Sequence, residues 1–217
     1  MTSQKVLVSD FDGTMTRHDF YKLALEHLLP RDVPDYWAQY RAGEITHFEA
    51  LRLYFASIRK SEAEVLEVVH QMQLDERLSQ ALHQLGEAGW RVVIASAGCH
   101  WYMSHLLQGL EQKLEIHANP GRFVEGQGLL MKLPRESPYF SSELGIDKLG
   151  VVRKQVDQGL VVAFAGDGFP DIEPARIVPD DLRFARGDLA SQFAREELPY
   201  RSFESWSQVA DHLSNHA

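Results

Sequence analysis

The stretch "VLVSDFDGTMT", Val6–Thr16, decides the reading of the whole chain. Four mostly apolar residues run straight into two carboxylates one residue apart, and a glycine and two threonines follow. Lys5–Ser9 is β-branched and apolar, which predicts a buried strand ending at Asp10. Within a strand, residues i and i+2 point the same way, so Asp10 and Asp12 would repel if the strand continued. We therefore expect Asp10 to end the strand and Asp12 to lie in a turn that Gly13 allows.

Composition narrows what such a pair can do. The 217 residues suffice for one sizeable core, or for one core and a small accessory domain. A net charge of -9 argues against nucleic acid, which wants a basic face. It leaves room for an anionic small molecule, because a bound cation reverses the local field. The lone Cys99 excludes an intramolecular disulfide and a cysteine zinc cluster. Residues 1–8 lack a leader pattern, and no run approaches the roughly 18 apolar residues of a membrane span. The expectation is a cytoplasmic protein with no membrane partner.

From Asp19 to Met72 the pattern is helical. Asp19 can cap a helix that stops before Pro30, and a second short helix is expected over 34–42, ending at Gly43. Thr46 with Glu49, and Ser61 with Glu64, have capping-box spacing ahead of apolar runs. A helical block of roughly 55 residues exceeds the dozen or so that a crossover needs, so it reads as an insertion. After Leu74, helices and strands alternate. Helices are expected over 75–89, 101–110 and 147–158. "WRVVIASAG", "LVVAFAGDG" and "LRFA" read as strands, and "LEIHANPGRFVEGQGLLMKLP" as a strand followed by a hairpin. Continuous apolar strands between helices predict an α/β fold with a Rossmann-like parallel sheet, covered on both faces.

Ligands bind such sheets at the carboxyl ends of the strands. Asp10 and Asp12 end the first strand, Ser96-Ala97-Gly98 the second, and Gly166-Asp167-Gly168 the third, with Asp171 close behind; Lys148 opens the helix before the third strand. Crowded carboxylates need a cation, and oxygen-only ligands suit Mg²⁺. A phosphate would supply further ligands, with Ser96 and Lys148 meeting its other oxygens.

These residues, in this order, resemble the haloacid dehalogenase superfamily: "DFDGTMT" its first motif, Ser96 its second, Lys148 its third and "GDGFPD" its fourth. The resemblance implies a core domain over 1–17 and 75–217 and a helical cap domain over 18–74. It implies that Asp10 is the nucleophile, forming an aspartyl-phosphate, and that Asp12 is the acid and then the base. Mg²⁺ would be held by the Asp10 side chain, the Asp12 backbone carbonyl and Asp167, with Asp171 in support. Ser96, the Ala97 and Gly98 amides and Lys148 would hold phosphoryl oxygens, and Thr14 and Asp19 join the phosphate- and substrate-binding set. Dehalogenases of the superfamily typically lack the second acid, so Asp12 favours phosphate chemistry on a small phosphorylated metabolite.

Within the superfamily the chain resembles the phosphoserine-phosphatase branch. The nearer resemblance is to the 2-hydroxy-3-keto-5-methylthiopentenyl-1-phosphate phosphatases of methionine salvage, through Asp19, "IHAN" and the run Leu182–Trp206. Pro170 stands where phosphoserine phosphatases carry Asn. Ala97 stands where the salvage enzymes usually carry Gly. A phosphoserine phosphatase or a phosphotransferase would share the core motifs. A receiver-like phospho-Asp domain needs neither a lid nor a second acid, and an inactive binding protein should lack a core position.

Other features have structural readings. Cys99 reads as a buried thiol, His100 as a helix-capping residue, and Trp101 and Tyr102 as packing. Tyr36, Trp37, Tyr40 and Arg41 fit either a surface closing on substrate or packing inside the cap. The ten histidines show no ligand spacing.

Overall fold

The computed structural model describes residues 5–110, 112 and 114–215; the remaining terminal residues of the expected core domain lie outside them. The first strand, β1 (Lys5–Ser9), is followed by four helices: α1 (Phe20–His27), α2 (Tyr36–Arg41), α3 (His47–Ala56) and α4 (Glu62–His70). Alternation then begins with α5 (Leu78–Glu87), β2 (Trp90–Cys99), α6 (His100–Leu106) and β3 (Leu114–Asn119). The expected hairpin is β4 (Gly121–Val124) with β5 (Gly128–Met131), and two short strands, β6 (Phe140–Ser141) and β7 (Gly145–Ile146), come next. The chain closes with α7 (Lys148–Asp157), β8 (Val161–Gly166), α8 (Ile172–Arg176), β9 (Arg183–Ala185), α9 (Gly187–Arg195), β10 (Arg201–Ser202) and α10 (Trp206–Asn215).

Six strands form one parallel sheet in the order β10-β9-β8-β1-β2-β3. The chain moves outward from β1 to β3, then returns to β8 on the other side of β1. That reversal puts the carboxyl ends of β1 and β8 side by side, where open α/β sheets form a ligand crevice. Period-two alternation divides β1 between two cores: Leu7 joins the apolar cluster that runs on into α1, α3 and α4, whereas Val6 and Val8 pack with α7 and α9 residues on the opposite face.

Helix ends depart from the sequence reading by a few residues, and at α7 the cap explains it. Asp147 is not helical but caps α7, accepting from Gly150 N–H at 2.9 Å. The Ser61–Glu64 capping box is complete. In α3 only half of one forms: Thr46 accepts from Glu49 N–H, but the Glu49 carboxylate turns to Arg52 at 2.8 Å. His100 does not cap α6; it is the exposed first residue of that helix, and Cys99 holds the cap position without a side-chain bond. Cys99 is buried as expected, and burial pushes its thiol up to about 12.

The two linkers joining α1–α4 to the sheet pair with each other. Thr16 bridges Leu74 in antiparallel sense, Arg17 N–H donates to Gln73 O at 2.9 Å, and His18 N–H donates to Met72 O at 3.0 Å. The β4–β5 hairpin packs on α3 so closely that a side chain on Gly128 would collide with the Phe55 and Ile58 carbonyls. None of the described helices is long and apolar enough to cross a membrane.

Candidate active site

Asp10 follows directly on β1, and its N–H still continues the ladder, donating to Ala165 O at 2.9 Å. The chain then turns through Gly13, at φ 71°, a left-handed conformation that costs glycine little. A Cβ there would also strike the Asp167 carboxylate. The sequence expectation for this turn is met, and it separates the two acids.

The Asp10 carboxylate faces a buried ammonium. Lys148 Nζ lies 2.8 Å from Asp10 Oδ1 and 2.7 Å from Asp171 Oδ1. Asp171 spends its other oxygen on the Asp167 and Gly168 amides, each at 3.1 Å. It is therefore a fully buried brace that aims Lys148 and shapes the loop after β8. Carboxylate oxygens of Asp10, Asp167 and Asp171 all lie within 4.8 Å of one another. Burial raises the Asp10 carboxyl well above the usual range; Lys148 opposes this, and Asp171 and Asp167 add to it. Burial also lifts Asp167 to about 7, with the Asp171 charge contributing. Burial alone would lower Lys148, but the Asp10 and Asp171 charges outweigh it and raise it. Three clustered acids with one ammonium, bonded to two of them, suit a divalent cation, and the oxygen donors fit a hard ion.

Asp12 turns elsewhere. Its carboxylate is not part of that trio; Oδ2 accepts from Tyr102 OH at 2.9 Å, with Ser96 Oγ at 3.4 Å, and Oδ1 is 3.4 Å from Phe20 N. Burial raises its pKa, followed by the Asp19 and Asp10 charges. Tyr102, read from sequence as packing alone, is thus also a ligand of Asp12. The one available signal was its place six residues after Ser96, in the first turn of α6.

Near the end of β2, Ser96 Oγ accepts from Gly98 N–H at 3.0 Å, and Asn119 donates to Ala97 O at 2.7 Å, holding this irregular stretch of the strand, where a turn is expected, from the neighbouring strand. A Cβ on Gly98 would occupy the space of the Tyr102 hydroxyl and the Asp12 carboxylate. These groups share a cleft of about 830 Å³ with residues of α1, α2 and α3. Asp10, Asp12, Asp19, Ser96, Ala97, Gly98, Lys148, Asp167 and Asp171 all line it. Thr14 does not; it is buried behind, its hydroxyl donating to Asp167 Oδ1 at 3.2 Å. Asp19 lines the cleft and also caps α1, accepting from Tyr21 N–H at 2.7 Å.

The facing wall carries Tyr21, Trp37, Tyr40, His47, Leu51 and Phe55, together with the cations Lys22 and Arg41. Trp37 meets His47 at a tilt and Tyr40 meets it edge-on, whereas Tyr36 packs against Tyr54. The cluster left open by the sequence thus divides between the two readings. Burial, with Lys148 nearby, lowers His47 to about 4, so its ring is neutral at pH 7. From the sheet side, Glu143 reaches across to α3: its Oε1 accepts from His47 N–H at 3.2 Å and its carbonyl from Phe48 N–H at 2.8 Å.

A raised acid weakens the fold as it ionises. The unfolded Asp167 loses its proton near its ordinary 3.8 and the folded one near 7, so the folded state holds the extra proton between those values. Without divalent cations, this residue's contribution should fall as pH rises from about 4 to about 7 and stay level above. Melting wild type and Asp167→Asn across that interval checks it. The wild type should lose ground to the variant as pH rises; parallel curves would contradict the assignment.

Comparison with known proteins agrees with this geometry. The model of the haloacid dehalogenase-like hydrolase family matches residues 7–176. A 2-hydroxy-3-keto-5-methylthiopentenyl-1-phosphate phosphatase from Bacillus pumilus is 21% identical over 204 residues, covering 93% of this chain and 87% of its own. A substrate-bound phosphoserine phosphatase superposes with a TM-score of 0.65 at 15% identity, over 98% of this chain and 99% of its own. A phospho-aspartyl intermediate analogue of phosphoserine phosphatase gives 0.63 at 16%, over 97% and 99%.

Proposed function

The chain belongs to the haloacid dehalogenase-like hydrolase family, and from that membership we propose that it is a Mg²⁺-dependent phosphomonoesterase working through an aspartyl-phosphate on Asp10. The observation that carries the reading is the separation of the two acids. Asp10 sits with the ammonium and the other carboxylates, while Asp12 is held by Tyr102 away from that trio. A receiver domain has no use for the second group.

The Asp10 and Asp167 side chains, with the Asp12 carbonyl, would hold the Mg²⁺, braced by Asp171; when bound, the ion offsets the carboxylate charge and draws electron density from the phosphoryl group. Lys148 occupies Asp10 Oδ1, which leaves Oδ2 to attack phosphorus. The ester P–O bond breaks, and Asp12 gives its proton to the departing alcohol oxygen. Asp12, now a carboxylate, takes a proton from water, whose oxygen attacks the same phosphorus. The bond to Asp10 breaks, and phosphate leaves. Lys148, the Ser96 hydroxyl and the Ala97 and Gly98 amides would donate to the phosphoryl oxygens, the Gly98 N–H leaving Ser96 Oγ to do so.

Residues 18–74 act as the cap and 1–17 with 75–217 as the core in this reading, with the paired linkers as the joint. The reaction is placed in the cytoplasm. For the substrate, the cap-side wall offers aromatic rings, a neutral His47 and the cations Lys22 and Arg41, a lining that suits an organic part without an ammonium group. Asp19 is already committed to the start of α1. That favours 2-hydroxy-3-keto-5-methylthiopentenyl-1-phosphate, the substrate in the Bacillus relative's name, over phosphoserine. With Mg²⁺ present, kcat/KM for that compound should exceed the value for O-phosphoserine by about tenfold or more. A preference for phosphoserine would overturn the substrate assignment, and no release from either, or from phenyl phosphate, would overturn the reaction.

A further inference from the structure

Arg186 stands just past β9, where its N–H donates to Gly166 O at 3.2 Å. Its guanidinium pairs with no carboxylate among the described residues. It donates instead to four main-chain carbonyls: Nε to Gly13 O at 2.5 Å, Nη1 to Glu204 O at 2.8 Å, and Nη2 to Thr16 O at 2.8 Å and Arg17 O at 3.2 Å. Four of the five N–H bonds of the fork are thereby used. The flat of the group lies over Phe203, 5.6 Å from the ring centre. A half-buried cation without an ion-pair partner is costly, and burial lowers its pKa.

The four acceptors come from three places. Gly13 is in the turn between Asp12 and Thr14, pressed on Asp167. Thr16 and Arg17 form the first linker, paired with the second through Leu74 and Gln73. Glu204 belongs to the approach to α10. One planar group thus spans the acid-bearing turn, the joint of α1–α4 and the C-terminal part of the sheet domain.

We propose that Arg186 is a positioning residue: its guanidinium staples the Asp12–Gly13 turn to the paired linkers, so that α1–α4 pivot beyond Arg17 while the acids stay in place. A joint that flexed nearer the turn would carry Asp12 with it, and misplacement of a reacting group by about 1 Å can cost a hundredfold in rate. The staple bonds only to backbone, and its charge also favours the ionised form of Asp167. Its effect on turnover rests on the phosphatase reading; its effect on the joint does not.

Hydrogen exchange separates the two. In Arg186→Met, the Arg17, His18 and Asp75 amides, which close the linker pairing, should exchange about tenfold faster or more, whereas the β1 amides keep their protection. Arg186→Lys, retaining the charge and part of the bonding, should fall between the two. Equal acceleration in linkers and β1 would show a general loss of stability and overturn the proposal, as would unchanged linker amides. With Mg²⁺ and phenyl phosphate, kcat of the Met variant should fall about tenfold with a smaller change in KM. Loosened linkers with an unchanged kcat would overturn the positioning role. A wild type that releases no phosphate would remove the phosphatase reading, and the exchange result would still decide the staple.

Discussion

Asp10→Asn should fold as the wild type does and lose phosphatase turnover by about ten-thousand-fold or more, the scale of removing a nucleophile from a linked set of catalytic groups. An amide oxygen is a poor nucleophile for phosphorus, and no other carboxylate stands in its place: Asp171 is fully engaged by Lys148 and two amides, and Asp12 is turned to Tyr102. The fold should survive because the burial that raises the Asp10 pKa makes its charge a burden. Asparagine is uncharged and keeps an oxygen for Lys148 Nζ. Phosphate release and a thermal melt test both halves, and substantial turnover in the variant would remove Asp10 from the reaction.

Lys148→Met should have the largest effect on stability. The ammonium is 3% exposed and is shared by two carboxylates that are themselves buried. Exchanging a whole buried ion pair for apolar groups is often harmless, but removing one partner strands the other and costs about 3–5 kcal/mol. Burial already raises the Asp10 carboxyl, so the deficit should be greatest near pH 8 and shrink toward pH 5 as Asp10 takes up a proton. Urea unfolding at the two pH values measures it. A methionine variant as stable as the wild type at pH 8 would mean that burying the ammonium costs as much as its two pairs return.

Sequence alone located the acids, because a parallel sheet leaves little choice. Every strand of such a sheet delivers its carboxyl end to one edge, so Asp10, Ser96 and Asp167 had to approach one another once β1, β2 and β8 were recognised. The pattern said less about direction. Thr14 lies two residues from Asp12, but the turn at Gly13 sends its hydroxyl behind the cleft to Asp167. Tyr102 and Asp12 are 90 residues apart, and Arg186 and Gly13 173. Neither contact has a periodic signature; both depend on how far α6 and the loop after β9 sit from β1, which packing decides. Helix ends failed for a local reason, since a capping Asp such as Asp147 resembles a first helical residue until its side chain is seen to fold back.

The grip of Glu143 on α3 makes one helix the joint property of two parts of the chain. Of the first three N–H groups of α3, only Glu49 finds its acceptor nearby, in Thr46; those of His47 and Phe48 rely on Glu143, almost a hundred residues away. A withdrawal of the helices from the β6–β7 turn leaves both amides to water. On that side, unsealing the cleft and fraying the helix are one event. The doorway is made of secondary structure, and its latch is a single glutamate.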